Sequence, residues 1–247
     1  MTEGFAFYIF LGAAAGGFIN GLAGTATALF ALGFYLVVLP PVTAVAVVAA
    51  MSVLTSLLGL WVVRAEILNH PRRLARFMLP GLLGVPMGVS FLQVVDASTL
   101  RYAIAVLLIV YGAYFGFRSA LPVFERRTPV LDGVIGFAGG FCAGAAALAG
   151  AVPNLFLSLR PWSKTQIRAT LQSFNMSVLS TTVAMLTFRG AYEGVALSAL
   201  SIAVPVSLCS ALAGIAVFRR VSDGVFRRLL ILLSLVVGVG VLLSELA

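Results

Sequence analysis

The chain has 247 residues, of which 61% are hydrophobic and only 10% are charged, whereas soluble domains carry about 25% charged residues. A water-soluble fold of this length has no interior large enough for so much apolar surface, so the chain is expected to lie in lipid. The net charge of +8 does not indicate a nucleic-acid-binding protein, because the basic residues occupy short segments between apolar runs. The amino terminus has no basic segment and no clear cleavage site, so no removable signal peptide is expected.

Metal and covalent chemistry have little support in the sequence. Cys142 and Cys209 both fall inside apolar runs, and His70 is the one histidine. A metal site needs a cluster of such ligands, and no pair of nucleophile and base can be assembled either. The sequence therefore predicts no metal, no cofactor and no enzymatic activity, with both cysteines buried as small apolar groups.

The chain repeats itself at an offset of 123 to 126 residues. The segment 15–18, Ala-Gly-Gly-Phe, recurs at 138–141, and the segment 51–54, Met-Ser-Val-Leu, recurs at 176–179. Further matches follow in the same order. The sequence therefore predicts two related halves.

Each half contains four apolar stretches, and the first of the four is too long for one membrane crossing and short for two. These first stretches, 5–39 and 131–159, are crowded with glycine and are predicted to form broken hairpins. The other three stretches of each half fit one crossing apiece. The predicted organisation is repeat 1 (1–117) with helices 42–63, 77–95 and 100–117, a linker at 118–129, and repeat 2 (130–247) with helices 169–188, 194–218 and 226–244.

Positive charge predicts the orientation, because cytoplasmic loops of membrane proteins are enriched in Lys and Arg. Fourteen of the 16 basic residues fall in the segments 64–76, 118–129, 160–168 and 219–228. All four segments lie on one side only if each first stretch enters the membrane and returns. The predicted fold is an all-α polytopic membrane protein of two inverted repeats, with six full crossings, two glycine-rich hairpins and both termini outside. Eight full crossings is the alternative.

The hairpin breaks are the expected substrate site, since transporters with inverted repeats bind substrate near the midplane, where helices are interrupted. The candidates are Asn20, Thr25 and Thr27 in the first break and Asn154 in the second. A helix that restarts after a break presents N–H groups and the positive end of its dipole, which suits an anion. The glycines themselves are better explained by close helix packing.

The helix after Pro161 supplies the other candidates for substrate binding. Arg168, Gln172 and Asn175 recur at helical spacing and are expected to share a face, although Arg168 can also be read as a side chain that reaches the cytoplasmic interface. The eight acidic residues all lie at or beyond the ends of apolar stretches. Proton-driven and cation sites usually need a carboxylate within the membrane, so an anion fits better than a cation.

A second polar set occurs in both halves. Serine and threonine side chains inside membrane helices commonly hydrogen-bond between helices. We interpret the set in this way rather than as a binding site. Its members are Ser52, Thr55 and Ser56, matched by Ser177, Ser180 and Thr181.

Over nearly its whole length the chain resembles the TauE/SafE sulfite exporter family of bacterial anion permeases. The resemblance is clearest at 17–24 (Gly-Phe-Ile-Asn-Gly-Leu-Ala-Gly), at 150–153 (Gly-Ala-Val-Pro) and at 162–164 leading into 168–172. It departs from the family at 24–28, where members often carry more glycines. The resemblance implies a multi-pass protein of the bacterial inner membrane that exports or takes up sulfite, sulfonates or related organosulfur anions.

The expected partners follow from this class of protein. They are a small anionic substrate and the lipid bilayer, with no nucleic acid, and a homodimer remains open. The alternative function is a membrane-embedded anchor or subunit of a partner complex, or a permease for another small anion. The short loops leave little surface for a partner and favour the transporter.

Overall fold

The computed structural model describes residues 3–69, 71–96, 128–157, 160–220 and 222, with scattered positions between 99 and 113. Within this part of the chain every regular element is a helix, which confirms the predicted all-α class. The predicted helix 226–244 lies outside the described residues, and 100–117 lies largely outside them. The described helices are α1 (Glu3–Ala23), α2 (Thr27–Val38), α3 (Pro41–Asn69), α4 (Pro71–Leu92), α5 (Pro129–Ala146), α6 (Ala151–Leu157), α7 (Lys164–Phe188) and α8 (Val195–Arg220).

Five of these helices, α1, α3, α4, α5 and α8, are long and apolar enough to cross a membrane. A hydrocarbon core of about 30 Å requires about 20 helical residues. The helix α7 is also long, with 25 residues, but it is less apolar and many of its polar side chains are buried in the protein. The chain is therefore a multi-pass α-helical membrane protein.

Several helices extend beyond the apolar stretches in the sequence. The helix α4 begins at Pro71, α7 begins at Lys164, and α3 continues to Asn69. Hydropathy marks the part of a helix that lies in lipid, whereas the backbone hydrogen bonds continue through polar turns at the interface. The start of α7 is fixed by a capping box, in which the Ser163 hydroxyl accepts from the Gln166 N–H and the Gln166 side chain accepts from the Ser163 N–H.

The first glycine-rich stretch forms a hairpin of α1 and α2. Gly12 faces the ring of Tyr35 and Gly16 faces Ala31, so α2 runs back along α1. Between the two helices the backbone enters the left-handed region at Gly24 (φ 76°) and Ala26 (φ 73°). An α-helix cannot continue through that conformation, so it breaks here.

The two ends of the second glycine-rich stretch also lie next to each other. Asp132 in the first turn of α5 forms a 2.9 Å ion pair with Arg160, which follows α6. Arg160 also donates to the Thr128 hydroxyl, and its guanidinium lies over the ring of Phe156 at 4.8 Å. The break between α5 and α6 includes Ala147 in the left-handed region (φ 54°).

The first helix of each hairpin packs along a helix of the other half, α1 on α8 and α5 on α4. Glycines bring the backbones into contact: Gly88 lies against the backbone of Phe141, and Gly214 lies against the backbone of Phe18. Phe18 and Phe141 are 123 positions apart in the chain, and Gly88 and Gly214 are 126 apart. Both separations are offsets of the sequence repeat. These glycines therefore serve helix packing, and the packing itself is repeated.

Two of the basic segments and the end of the linker meet at one end of the molecule. The guanidinium of Arg73 at the start of α4 lies 4.5 Å from the ring centre of Trp162, which precedes α7, and pairs with Glu66 at 3.2 Å. The Arg160–Thr128 bond joins the end of the linker to the same region. These contacts place the segments 64–76 and 160–168 and the end of the linker side by side.

The opposite end of the molecule contains the turn between α7 and α8. The Tyr192 hydroxyl donates to the Ala46 carbonyl near the start of α3 at 2.9 Å. The Arg189 guanidinium donates to the Val89 carbonyl near the end of α4 at 3.4 Å. The long helices α3, α4 and α7 therefore run from one end to the other.

Candidate functional site

The two helix breaks, one from each half, meet in the interior. Thr25 in the first break packs against Gly150 in the second, so closely that a side chain at position 150 would overlap the Thr25 hydroxyl. Asn175 of α7 faces the same glycine, with its Oδ1 3.4 Å from the point where a Cβ would stand. The site is thus built from both hairpins and α7.

A small cavity lies between the two breaks, α3 and α7. About 10 Å³ is available to the centres of water molecules, which is roughly the space for one water. None of the described residues that line the cavity is charged. Its polar side chains are Asn20, Thr25, Thr27, Ser52, Ser56 and Asn175.

Three polar atoms at the cavity have no hydrogen-bond partner. They are the hydroxyl oxygens of Thr25 and Ser52 and the amide oxygen of Asn175, and these residues are only 3%, 2% and 4% exposed. A buried polar atom without a partner costs about 1–3 kcal/mol. Three such atoms around one cavity make it the candidate site for a polar ligand or a bound water.

The two halves contribute unequally to the cavity. The first hairpin supplies amide and hydroxyl groups from Asn20, Thr25 and Thr27, whereas the second break supplies alanines, Gly150 and Leu148. At the repeat offset of 123, Asn20 corresponds to Ala143 and Thr25 to Leu148. The first hairpin therefore gives the cavity a polar wall and the second break an apolar one, and the polar group from the second half is Asn175 on α7.

Arg168 lies beside the first break and does not line the cavity. Its guanidinium donates to the carbonyls of Gly21 at 3.0 Å and Leu22 at 3.2 Å, and it lies over the ring of Phe218 at 4.1 Å. The last carbonyls of a helix have no partner within the helix, and a cation is favourable at this end of the helix dipole. Since Arg168 is only 3% exposed, it holds the end of α1 rather than extending to the interface.

Gln172, one turn further along α7, is fully buried. Its amide nitrogen donates to the Ser56 carbonyl on α3 at 3.0 Å. Gly24 and Gly59 lie against its side chain and leave the room that it occupies. Gln172 therefore connects the first break to α3, and its Oε1 has no partner.

The comparison with known families determines the class of this molecule. The model of the family "Sulfite exporter TauE/SafE" matches residues 8–241. The chain belongs to the TauE/SafE family. Comparison with curated proteins and with solved structures gives no match. TauE/SafE proteins are transporters, so this chain is a membrane transporter rather than an enzyme.

Most of the predicted site residues lie together in this TauE/SafE protein. Asn20 also donates to the Thr55 hydroxyl on α3 and so ties the first hairpin to that helix. Asn154, on the short helix α6, does not line the cavity. Arg168 and Gln172 flank the first break instead of lining the cavity. The four predicted residues that line it are Asn20, Thr25, Thr27 and Asn175.

Sequence reasoning missed two cavity residues of this TauE/SafE protein, Ser52 and Ser56, which we interpreted only as interhelical contacts. They lie four residues apart and therefore on one face of α3. Thr55 does serve the interpreted role, since it accepts the bond from Asn20. The available signal was the helical spacing of Ser52 and Ser56.

The prediction that both cysteines are buried is wrong, because Cys142 is only half-buried and Cys209 is exposed on α8.

The pairing of Asp132 with Arg160 was also not predicted. The available signal was the hairpin itself, whose two ends have to meet.

Among the described residues of this TauE/SafE protein, no three His, Cys, Asp or Glu side chains come together as a group that could hold a metal ion.

Proposed function

We propose that this TauE/SafE protein exports a small sulfur oxyanion, sulfite or an organosulfonate, across the bacterial inner membrane. The observation that carries the proposal is the uncharged cavity where the two helix breaks meet, with unpartnered hydroxyl and amide groups in its wall. A cation would need carboxylates in such a site, and none lines it among the described residues.

The first turn of α2 favours a negatively charged ligand. Thr27, Ala28 and Leu29, the first three residues of this helix, line the cavity. Their N–H groups have no acceptor within the helix, and Ala26 provides no side-chain cap. The positive end of the helix dipole therefore points toward the ligand.

Transport requires the two breaks to separate. The cavity has space for about one water, which is too little for an anion of several heavy atoms. We take this form as occluded, with the contact between Thr25 and Gly150 closing the site. Opening toward either side of the membrane would make room for the substrate.

We propose that the two halves are inverted repeats and that the hairpins do not carry the chain across the membrane. The repeated packing of α1 on α8 and α5 on α4 supports two equivalent halves. The contacts of Arg73 with Trp162 and of Arg160 with Thr128 support one shared side for the basic segments, which is the cytoplasm by the distribution of positive charge.

The test is export from proteoliposomes that contain the purified protein. Vesicles are loaded in turn with sulfite, thiosulfate and methanesulfonate, and release is measured against protein-free vesicles. We expect release of sulfite, and at least a tenfold decrease in Thr25→Val, because a buried polar contact to the anion is lost. Thr187→Val is the matched control, since Thr187 is exposed on α7 and bonds only within its own helix.

Two results would contradict the proposal. One is the absence of protein-dependent release of every sulfur oxyanion. The other is release by Thr25→Val at the rate of Thr187→Val, which would mean that the cavity between the breaks is not on the transport path.

A further inference from the structure

The cavity contains a hydrogen-bond acceptor whose orientation is fixed. The amide nitrogen of Asn175 donates to the Gly24 carbonyl at 3.2 Å. Turning the amide over would place its oxygen against that carbonyl oxygen, so the assignment of N and O is determined by the network. The Asn175 Oδ1 is left without a partner beside Gly150. An amide oxygen only accepts hydrogen bonds, so it needs a donor from the ligand.

The other unpartnered groups can donate. The hydroxyls of Thr25 and Ser52 rotate freely enough to point a hydrogen at a ligand oxygen. The buried cation beside the first break, Arg168, is bonded to Gly21 and Leu22 and does not line the cavity. Through its described lining residues, the site therefore offers neutral donors, a fixed acceptor and no full positive charge.

These groups discriminate between protonation states of an oxyanion. Every oxygen of the sulfite dianion is an acceptor, so the dianion would bring lone pairs against Asn175 Oδ1. It would also bring a second charge into a buried site that has no cation to compensate for it. A singly protonated anion presents one hydrogen to Oδ1, while its oxygens accept from Thr25 and Ser52.

We propose that the transported species is hydrogensulfite, selected over the sulfite dianion by Asn175 Oδ1. This inference rests on the proposed function and adds to it the protonation state of the substrate. A site that hydrogen-bonds a particular group of its substrate rejects analogues that lack the group. Methanesulfonate, a monoanion without an acidic hydrogen, is expected to be a poor substrate for the same reason.

The pH dependence that follows belongs to the substrate. None of the titratable or charged groups on α7, or on the described helices that pack against it, lines the cavity. On those helices and on α2, whose first turn lines the cavity, the described side chains of this kind are Tyr35, Arg64, Glu66, Arg73, Arg76, Asp132, Cys142 and Arg168.

The experiment measures initial sulfite efflux from proteoliposomes at symmetric pH, below and above the pKa of hydrogensulfite. At constant total sulfite, we expect efflux to fall about tenfold for each pH unit above that pKa. At constant hydrogensulfite, reached by adjusting the total, we expect equal efflux at every pH. If a titrating side chain of the protein controlled transport instead, efflux would change with pH even at constant hydrogensulfite.

The variant Asn175→Ala removes the acceptor. If it folds and transports, its preference for hydrogensulfite over sulfite should decrease roughly tenfold, so that its efflux falls less steeply with pH. Thr187→Val should keep the wild-type profile. If Asn175→Ala does not fold, the wild-type comparison at matched hydrogensulfite still tests whether hydrogensulfite is the transported species.

Equal efflux per total sulfite below and above the pKa would overturn this inference and leave the export function standing. An active Asn175→Ala with the wild-type pH profile would also overturn it. Efflux of methanesulfonate without efflux of sulfite would overturn it as well, whereas the absence of efflux of every sulfur oxyanion at every pH would instead reject the proposed function.

Discussion

Thr25 and Gly150, one from each half of the chain, are in direct contact at the point where the two helix breaks meet. The contact depends on the missing side chain at position 150, because a Cβ there would overlap the threonine hydroxyl. The closed form of the site is therefore specified by a single glycine.

Gly150→Ala should prevent this closed form. Overpacking of a tightly packed site costs about 1–3 kcal/mol, so the breaks stay apart and the transport cycle slows by about 5- to 150-fold. Sulfite efflux measures the effect. Gly133→Ala is the control, since its Cβ would meet only the Pro80 ring at 3.6 Å. Full efflux in Gly150→Ala would show that the breaks need not touch during transport.

Arg168→Lys and Arg168→Gln should reduce the maximal rate of transport and leave the concentration for half-maximal rate nearly unchanged. The guanidinium bonds two successive carbonyls at the end of α1 and does not reach the cavity, and a lysine ammonium cannot reproduce that fork. Concentration-dependent efflux separates the two parameters. An effect confined to the half-saturation concentration would place Arg168 on the substrate.

The Asp132–Arg160 pair should stabilise the second hairpin. Its side chains are only 9% and 5% exposed, and removing one partner of a buried ion pair is destabilising by about 3–5 kcal/mol. We expect Asp132→Asn to lower the free energy of unfolding in lipid nanodiscs by about this amount. Glu66→Gln breaks the more exposed pair with Arg73 (20% and 17%) and should cost about 1 kcal/mol or less. Equal losses in the two variants would contradict this account.

Composition and repeats were sufficient to predict the helical class and the location of the hairpin breaks, because both depend on local sequence. The glycines and small polar residues of the two breaks can be recognised in the sequence without any tertiary contact. The position of Asn154 could not be predicted in this way, since it depends on how the seven residues of α6 turn. The two carbonyls that Arg168 bonds lie 147 and 146 residues away in the chain, and helical spacing carries no information about such tertiary partners.

Labelling of single cysteines in a variant without Cys142 and Cys209 should report the proposed orientation. Exposed positions on the Arg73–Trp162 end, Arg76 and Thr165, should react from the cytoplasm. Thr99 and Glu193, which are also exposed, should react from outside. Labelling of Arg76 and Thr165 from opposite sides would reject the return of the second hairpin and favour eight crossings.

Export by a carrier whose cavity has no carboxylate among its described lining residues should be driven by voltage. A membrane potential of 100 mV is worth about 2.3 kcal/mol for each charge that moves, so an inside-negative cell expels a monoanion without a coupled ion. In proteoliposomes at symmetric pH, a potassium-diffusion potential should accelerate sulfite efflux, and reversing its sign should suppress efflux. Insensitivity to voltage would indicate a compensating ion, with Asp132 as the first carboxylate to test.

The crossed packing of the halves has a consequence for biosynthesis. The ribosome delivers α1 first, but the helix that covers its glycine face, α8, follows about 170 residues later, a separation that makes contact formation slow. During most of the insertion of the chain into the membrane, Gly17 and Gly21 of α1, which later contact the backbone of α8, therefore face lipid or the insertion machinery. The native packing of α1 can form only after α8 has been synthesised.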